Sequence, residues 1–335
     1  MNRVFKRTAG VTLIELLVAL GIGSFLMIGA MTVFMQSRTT FRVNEAVARL
    51  QENARFLLSE VEPDIRMASY FGLTTRSSKV LGRGGIADPV GVIPVANDCR
   101  RNWSVDLAFE IEGSNNIGGG TPWPWVGCAA FGAFVPLSDA LVIRRSSEDA
   151  VPGALVANTA YIQSARFQDS QIFVGAAIPA GYLPATSQTH LLVTNGYYVS
   201  RNSSLDTPGN PVPSLRRKSL VGVQVVDQEV LAGVEDMQIQ FGVDMDPVGG
   251  VNRGVIDRFV NANDPIITPG AAAFLPDAQI LAVRVWFRLR AERAEPGHTD
   301  NNVYNYADQN FAANDQFRRL VVSKTIYLRN TRPAS

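Results

Sequence analysis

Three regimes of hydrophobic patterning divide the chain. From Leu16 to Met35, "LLVALGIGSFLMIGAMTVFM", no residue carries a charge. About 20 apolar residues at 1.5 Å rise match the ~30 Å hydrocarbon core of a bilayer, so this run predicts a membrane-spanning helix. After Gln36 the period changes. Val43, Val47, Leu50, Ala54, Leu57 and Val61 recur at intervals of 4, 3, 4, 3 and 4, with Asn44, Glu45, Arg49, Gln51 and Glu52 between them. That is an amphipathic stripe, and with the span it predicts one helix from about Thr12 to Glu62, roughly 75 Å long. Pro63 predicts the end of that helix or a kink, because proline lacks the N–H and clashes with the preceding turn.

From residue 73 onward the period shortens to two, with long loops rich in Gly, Pro and Asn. In "MQIQFGV" Met237, Ile239, Phe241 and Val243 share one face, with Gln238 and Gln240 opposite. "ILAVRVWFRLR" puts Leu281, Val283, Val285, Phe287 and Leu289 on one face and Arg284, Trp286, Arg288 and Arg290 on the other. Further candidate strands are "VDLAFEI", "ALVIRR", "HLLVTNGYYV", "LVGVQVV" and "RLVVSKTIYL". One buried face per strand predicts a largely antiparallel sheet, and the helix stripe is its natural partner, giving an α+β fold.

Composition adds limits. Of 335 residues 46% are hydrophobic and 18% charged, enough for a sizeable core, and a net charge of +1 gives no bulk signal for a nucleic-acid partner. No G-x-S-x-G, H-E-x-x-H, Walker A or C-x-x-C is present, so no enzyme is expected. "GRGGIA" at 82–87 fits G-x-G-x-x-A loosely but lacks a βαβ context. His190 lies in a strand-like run and reads as a core or edge residue, and His298 reads as an exposed loop residue.

The start of the chain carries the chemistry. Glu15 opens the apolar run in "RTAGVTLIELLVAL", and a carboxylate within a span costs on the order of 3 kcal/mol at the centre and less near the edge. Such a residue calls for a partner. If the chain were cut after Gly10, Val11 would carry a free α-amino group four residues away, on the same helix face. The amine of a neighbouring helix would serve equally. The cut would also remove Arg3, Lys6 and Arg7, leaving 28 basic against 30 acidic residues. The basic stub predicts a cytoplasmic N-terminus, with everything after Gln36 outside. Gly21, Gly23 and Gly29 weaken the helix, and Ala19 with Gly23 makes a small-xxx-small pair suited to close helix approach.

"KRTAG/VTLIELLVAL" resembles the class III leader of type IV pilins and pseudopilins. That resemblance implies cleavage by a prepilin peptidase between Gly10 and Val11, N-methylation of Val11, and an assembly role for Glu15. Val11 departs from the family's usual Phe. "VARLQENARFLLSEVEPDIRMASYFG", "SDALVIRRSS", "VLAGVEDMQIQFGVDMD", "DAQILAVRVWFRLR" and "RRLVVSKTIYLRN" resemble successive blocks of PilW-type minor pilins, from which Pro63 is a departure.

The domains expected are a leader over 1–10, a transmembrane assembly helix over 11–35, an amphipathic continuation over 36–72 and a β-rich periplasmic domain over 73–335. The implied location is the inner membrane by a single pass, then the pilus. The implied partners are other minor pilins, the major pilin and a tip adhesin. The alternative within the superfamily is the J-type pseudopilin of type II secretion.

Cys99 and Cys128 both follow the span and would face an oxidising compartment. A bridge closing about 30 residues would contribute roughly 3 to 4 kcal/mol in the chain-entropy model; two buried thiols are the alternative. Their surroundings also resemble the family's paired cysteines. Asp244, Asp246, Asn252 and Asp257 sit in a Gly-rich turn and offer hard oxygen ligands suited to Ca²⁺, without the spacing or closing Glu of an EF-hand. A solvated turn is the other reading. The Arg pairs 144/145, 216/217 and 318/319, with exposed Trp123 and Trp125, would carry an adhesive or DNA-binding module; as plain surface charges they carry none.

Overall fold

The computed structural model describes residues 10–82, 93–96, 99 and 102–331. The chain forms two units, Met1–Arg49 and Leu50–Ser335. The first is helical from Leu13, the start of α1 (Leu13–Arg66). Every side chain from Val11 to Arg42 is exposed. Hydroxyls within the apolar run bond back to the helix. Thr32 Oγ1 donates to the Ile28 carbonyl at 2.6 Å and Ser24 Oγ to that of Gly21 at 3.0 Å, so neither needs water. Among the described residues this is the one helix long and apolar enough to cross a membrane.

In the second unit the strands fall into two sheets and a hairpin, where the alternation had suggested one sheet. The first sheet comprises β1 (Val80–Leu81), β2 (Ile111–Ser114), β3 (Ala140–Ala150), β4 (Ala160–Ala165), β5 (Ser170–Val174) and β6 (Ser187–Ser200). β7 (Ser214–Val221) and β8 (Gln224–Ala232) complete it. Its spine is the 14-residue β6, whose first half pairs with β4 and whose second half pairs with β7, both against β3 on the other edge. Among the described strands only β1 and β5 pair in parallel within this sheet, and Ala96 adds an isolated parallel bridge to Gln224 of β8.

The second sheet is built from β9 (Val234–Asp244), β10 (Arg258–Asn261), β11 (Gln279–Arg290) and β14 (Arg319–Tyr327), in the order β10-β9-β11-β14, antiparallel throughout. β12 (Val303–Tyr306) and β13 (Gln309–Ala312) form a separate hairpin. The fold is α+β.

Leu50, Ala54, Leu57, Val61 and Ile65 of α1 share one core with Met237, Ile239, Phe241 and Val243 of β9 and with Val283, Val285, Phe287 and Leu289 of β11. The alternation read from these two strands is the alternation that packs. Of the earlier stripe residues, Val43 is half-buried and Val47 is 38% exposed.

Three expectations need correction. α1 runs through Pro63 to Arg66. The next two residues explain why: Ile65 is fully buried, and the buried Asp64 carboxylate accepts hydrogen bonds from Arg145, Asn195 and Tyr197. "VDLAFEI" is mostly a turn-rich loop, with Val105 and Leu107 buried and only Ile111 entering a strand. "LVGVQVV" is not one strand but the β7–β8 hairpin, turning at Gly222, whose φ of +64° suits glycine. The polar faces of β9 and β11 are also covered in part, with Gln240, Arg284, Trp286 and Arg290 half-buried. Gln238 is fully enclosed, and Arg288 lies 3.6 Å above the Phe311 ring of β13.

Candidate functional site

Gly10 and Val11 are exposed and precede the helix, and a Cβ added at Gly10 would meet nothing within 4 Å. The peptide bond after Gly10 is therefore sterically open. Arg3, Lys6 and Arg7 lie outside the described residues. Thr12 and Glu15 are locked to one another. The Glu15 carboxylate accepts the Thr12 amide at 3.0 Å and its hydroxyl at 2.9 Å, while Thr12 Oγ1 accepts the Glu15 amide at 3.3 Å. This is a reciprocal capping box, which satisfies amides that a helix start leaves unpaired. Sequence reasoning looked for an amine beside Glu15 and missed Thr12, although T-x-x-E before an apolar run is the signal for such a cap. Cβ atoms added at Gly21, Gly23 and Gly29 would likewise meet nothing within 4 Å, so these positions leave room for another helix.

Cys99 and Cys128 are bonded, with Cα atoms 4.9 Å apart. The bridge sits in a cluster with Trp103, Trp125 and Tyr198. Trp125 is 1% exposed, against the expectation of a surface residue, because it packs beneath Tyr198 and between two other tryptophans. Trp123 is half-buried, stacked on Phe134 at 5.3 Å, and its indole N–H donates to the Cys128 carbonyl at 2.7 Å.

Asp244, Asp246 and Asp257 come together, each offering an oxygen within 4.8 Å of the others. Asp244 and Asp257 are already engaged, while Asp246 Oδ2 is buried without a hydrogen-bond partner. Asp244 accepts the amides of Asp246 at 2.9 Å and Gly254 at 2.6 Å, with the Arg253 guanidinium 3.7 Å away, and Asp257 accepts the Met245 amide at 2.6 Å. Asn252 is exposed, and its carbonyl accepts the Val255 amide at 3.1 Å. Calcium takes about six to eight oxygen ligands, and here it would have to displace a guanidinium and several backbone donors. The residues fit a self-closed turn better than a calcium cage.

The arginine pairs face inward. Arg144 is buried and donates to the Trp103 and Phe109 carbonyls and to Glu112; Arg145 binds Asp64. Arg216 bonds Asp227 and Glu229, Arg318 bonds Glu295, and Arg319 is held by Glu235, Asp300 and Asp315. Cations used in this way are not a phosphate-binding surface. His190 is a core residue, 1% exposed, with Nδ1 3.0 Å from the Ser147 carbonyl. "GRGGIA" lies outside the described residues beyond Gly82.

Residues 5–31 match the family model of the prokaryotic N-terminal methylation motif, and residues 196–330 match that of type IV pilus-assembly protein W. The chain is PilW-like. The PilW match starts within β6 and takes in β7 to β14, while the methylation motif starts at residue 5 and takes in much of the apolar run. The exposed apolar helix and this motif are those of an inner-membrane-anchored pilin of a type IV pilus. PilW-type proteins are structural pilus components, and pilus assembly implies pilin partners. No curated protein matches the chain. Among solved structures the type IV-like pilin TTHA1219 from Thermus thermophilus is similar, at 15% identity over 53% of this chain and 87% of that one, with a TM-score of 0.24. That superposition is too loose to bear on the fold.

Proposed function

We propose that this PilW-like chain is a minor pilin that joins a priming or tip complex and promotes pilus assembly. Prepilin peptidase cuts between Gly10 and Val11, Val11 is N-methylated, and the chain leaves the inner membrane for the pilus. In this reading residues 1–10 are the leader, 11–35 the assembly helix, 36–72 its amphipathic continuation and 73–335 the domain that meets other minor pilins, the major pilin or an adhesin. The observation that carries it is the join at the N-terminus: a methylation motif leads directly into an exposed apolar helix capped by Glu15. Burial of that helix among other pilin helices supplies the association energy, and the carboxylate, moved out of water, selects the register in which an amine faces it.

Gly10→Val tests the first step. It should accumulate as uncut precursor in membranes; mature protein of normal size would overturn the cleavage step. Co-purification tests the second. Other minor pilins should accompany the wild-type chain from membranes, and their absence would remove the complex.

A further inference from the structure

Between the disulfide-stapled loop and β3 lies a half-open cavity of about 320 Å³, which the pilus role does not use. Its apolar lining is aromatic and prolyl, with Trp103, Trp123 and Trp125 inside and Phe109, Pro122 and Pro124 around them. Phe109 is 41% exposed and presents ring surface to a ligand; Trp123 is half-buried with one face stacked on Phe134, and Trp103 and Trp125 are buried. The polar lining mixes donors and acceptors: Asp106, Glu112, Ser114, Thr121 and Arg144. Arg144 is fixed by three hydrogen bonds, one of them to Glu112 at 3.1 Å. The indole N–H of Trp103 has no hydrogen-bond partner.

We propose that this cavity is a saccharide-binding subsite. A pyranose presents an apolar C–H face to an aromatic ring and a rim of hydroxyls that both donate and accept. The cavity offers ring surface together with carboxylates and hydroxyls at close quarters, while the Arg144 guanidinium, bonded to Trp103, Phe109 and Glu112, holds the wall. Other ligand classes fit less well. A quaternary ammonium or lysine would use the ring faces and the two carboxylates but would leave the Ser114 and Thr121 hydroxyls unused. A phosphate would meet Asp106 and Glu112. The volume is at the lower end of small-molecule sites, about 300 to 1,000 Å³, and suits one or two sugar rings. Three fixed elements hold the walls in place before any ligand arrives: the Cys99–Cys128 bridge, the buried Arg144 and the Trp123–Phe134 stack.

The test uses the full chain in a polyoxyethylene detergent, because glycosidic and choline-headed detergents would compete. Tryptophan fluorescence is followed during titration with glucose, galactose, N-acetylglucosamine, maltose, lactose and chitobiose, and separately with choline chloride. At least one saccharide should give a saturable change with half-saturation in the range of about 1 to 10 mM, and choline none. Phe109→Ala should raise that half-saturation about tenfold at unchanged melting temperature. Should Phe109→Ala fold poorly, Thr121→Val, which keeps the shape and removes a hydroxyl, should weaken binding instead. No saturable change with any sugar up to ~50 mM overturns the proposal. So does saturation by choline in place of sugars, or unchanged binding in a well-folded variant. These readouts do not depend on cleavage or pilus assembly, so they stand or fall apart from the proposed pilin role.

Discussion

Thr12 and Glu15 hold each other at the first turn of α1, with the carboxylate taking both the amide and the hydroxyl of Thr12. The charge that looked out of place in an apolar run is thus the closing half of a helix cap. Capping and charge are separable, because glutamine also serves at this position of a capping box. Glu15→Gln should leave processing and helix content intact and yet impair pilus assembly and co-purification as severely as Glu15→Ala. Wild-type assembly by the Gln variant would assign Glu15 to capping alone.

The Cys99–Cys128 bridge closes a segment of 29 residues onto the tryptophan cluster. Its removal by Cys99→Ser with Cys128→Ser should cost about 3 to 4 kcal/mol in the chain-entropy model, read as a lower melting temperature. Mass spectrometry of non-reduced peptides should recover Cys99 and Cys128 linked; a free thiol at either position would count against the bridge.

Period-two and heptad signals are local, and they were legible. The stripe from Leu50 to Val61 and the alternating faces of β9 and β11 pack as their spacing implied. The misreadings share one physical cause: the compensating group lies far along the chain. Pro63 stays helical because Asp64 finds partners at Arg145, Asn195 and Tyr197. Arg288 and Arg290 of β11 and Arg319 of β14 are covered because aromatic rings arrive from Tyr306, Phe311 and Phe317. Nor does any local pattern place Asp106, Glu112 and Arg144 beside the tryptophans, since loop and strand meet only in the folded chain.

Gly72 has a φ of +81°, and a Cβ there would lie 2.7 Å from His190 Cδ2 and 2.8 Å from Ser164 Cβ. Both the backbone conformation and the space exclude a side chain. Gly72→Ala should destabilise by about 1 to 3 kcal/mol, measured as a shift in thermal or urea unfolding. An unchanged midpoint would mean that the His190 ring moves aside at no cost.

Stability should fall in acid. Arg318 beside Glu295, Arg319 beside Asp315 and Lys324 beside Glu62 hold these carboxyls below their ordinary range. A carboxyl lowered by folding contributes stability that is present above its unfolded pKa and is lost as pH falls through the folded one. Burial pushes Asp139, Asp236 and Glu110 upward, and their contribution runs the other way, full in acid and lost as pH rises. The melting temperature of the wild type should therefore drop below about pH 4.5, and less steeply in a Glu295→Gln, Asp315→Asn variant. Identical acid limbs would show that these pairs contribute nothing.

Asp64 ties the end of α1 to the first sheet. Its carboxylate accepts Arg145 Nε at 2.7 Å and Asn195 Nδ2 and the Tyr197 hydroxyl at 2.8 Å each, and its side chain is 5% exposed. Asp64→Ala removes one partner and leaves a guanidinium, an amide and a hydroxyl without their acceptor in the interior. Breaking a buried pair from one side costs about 3 to 5 kcal/mol. Asp64→Asn keeps one acceptor oxygen but presents an amide N–H to a donor, so it should cost an intermediate amount. The order wild type, Asn, Ala in unfolding midpoint is the expected result. If the helix tolerates Pro63 only because Asp64 anchors it, Pro63→Ala should rescue much of the loss in the Ala variant by restoring the missing N–H. Equal effects of Pro63→Ala in wild type and in Asp64→Ala would show that the anchor and the proline are energetically independent.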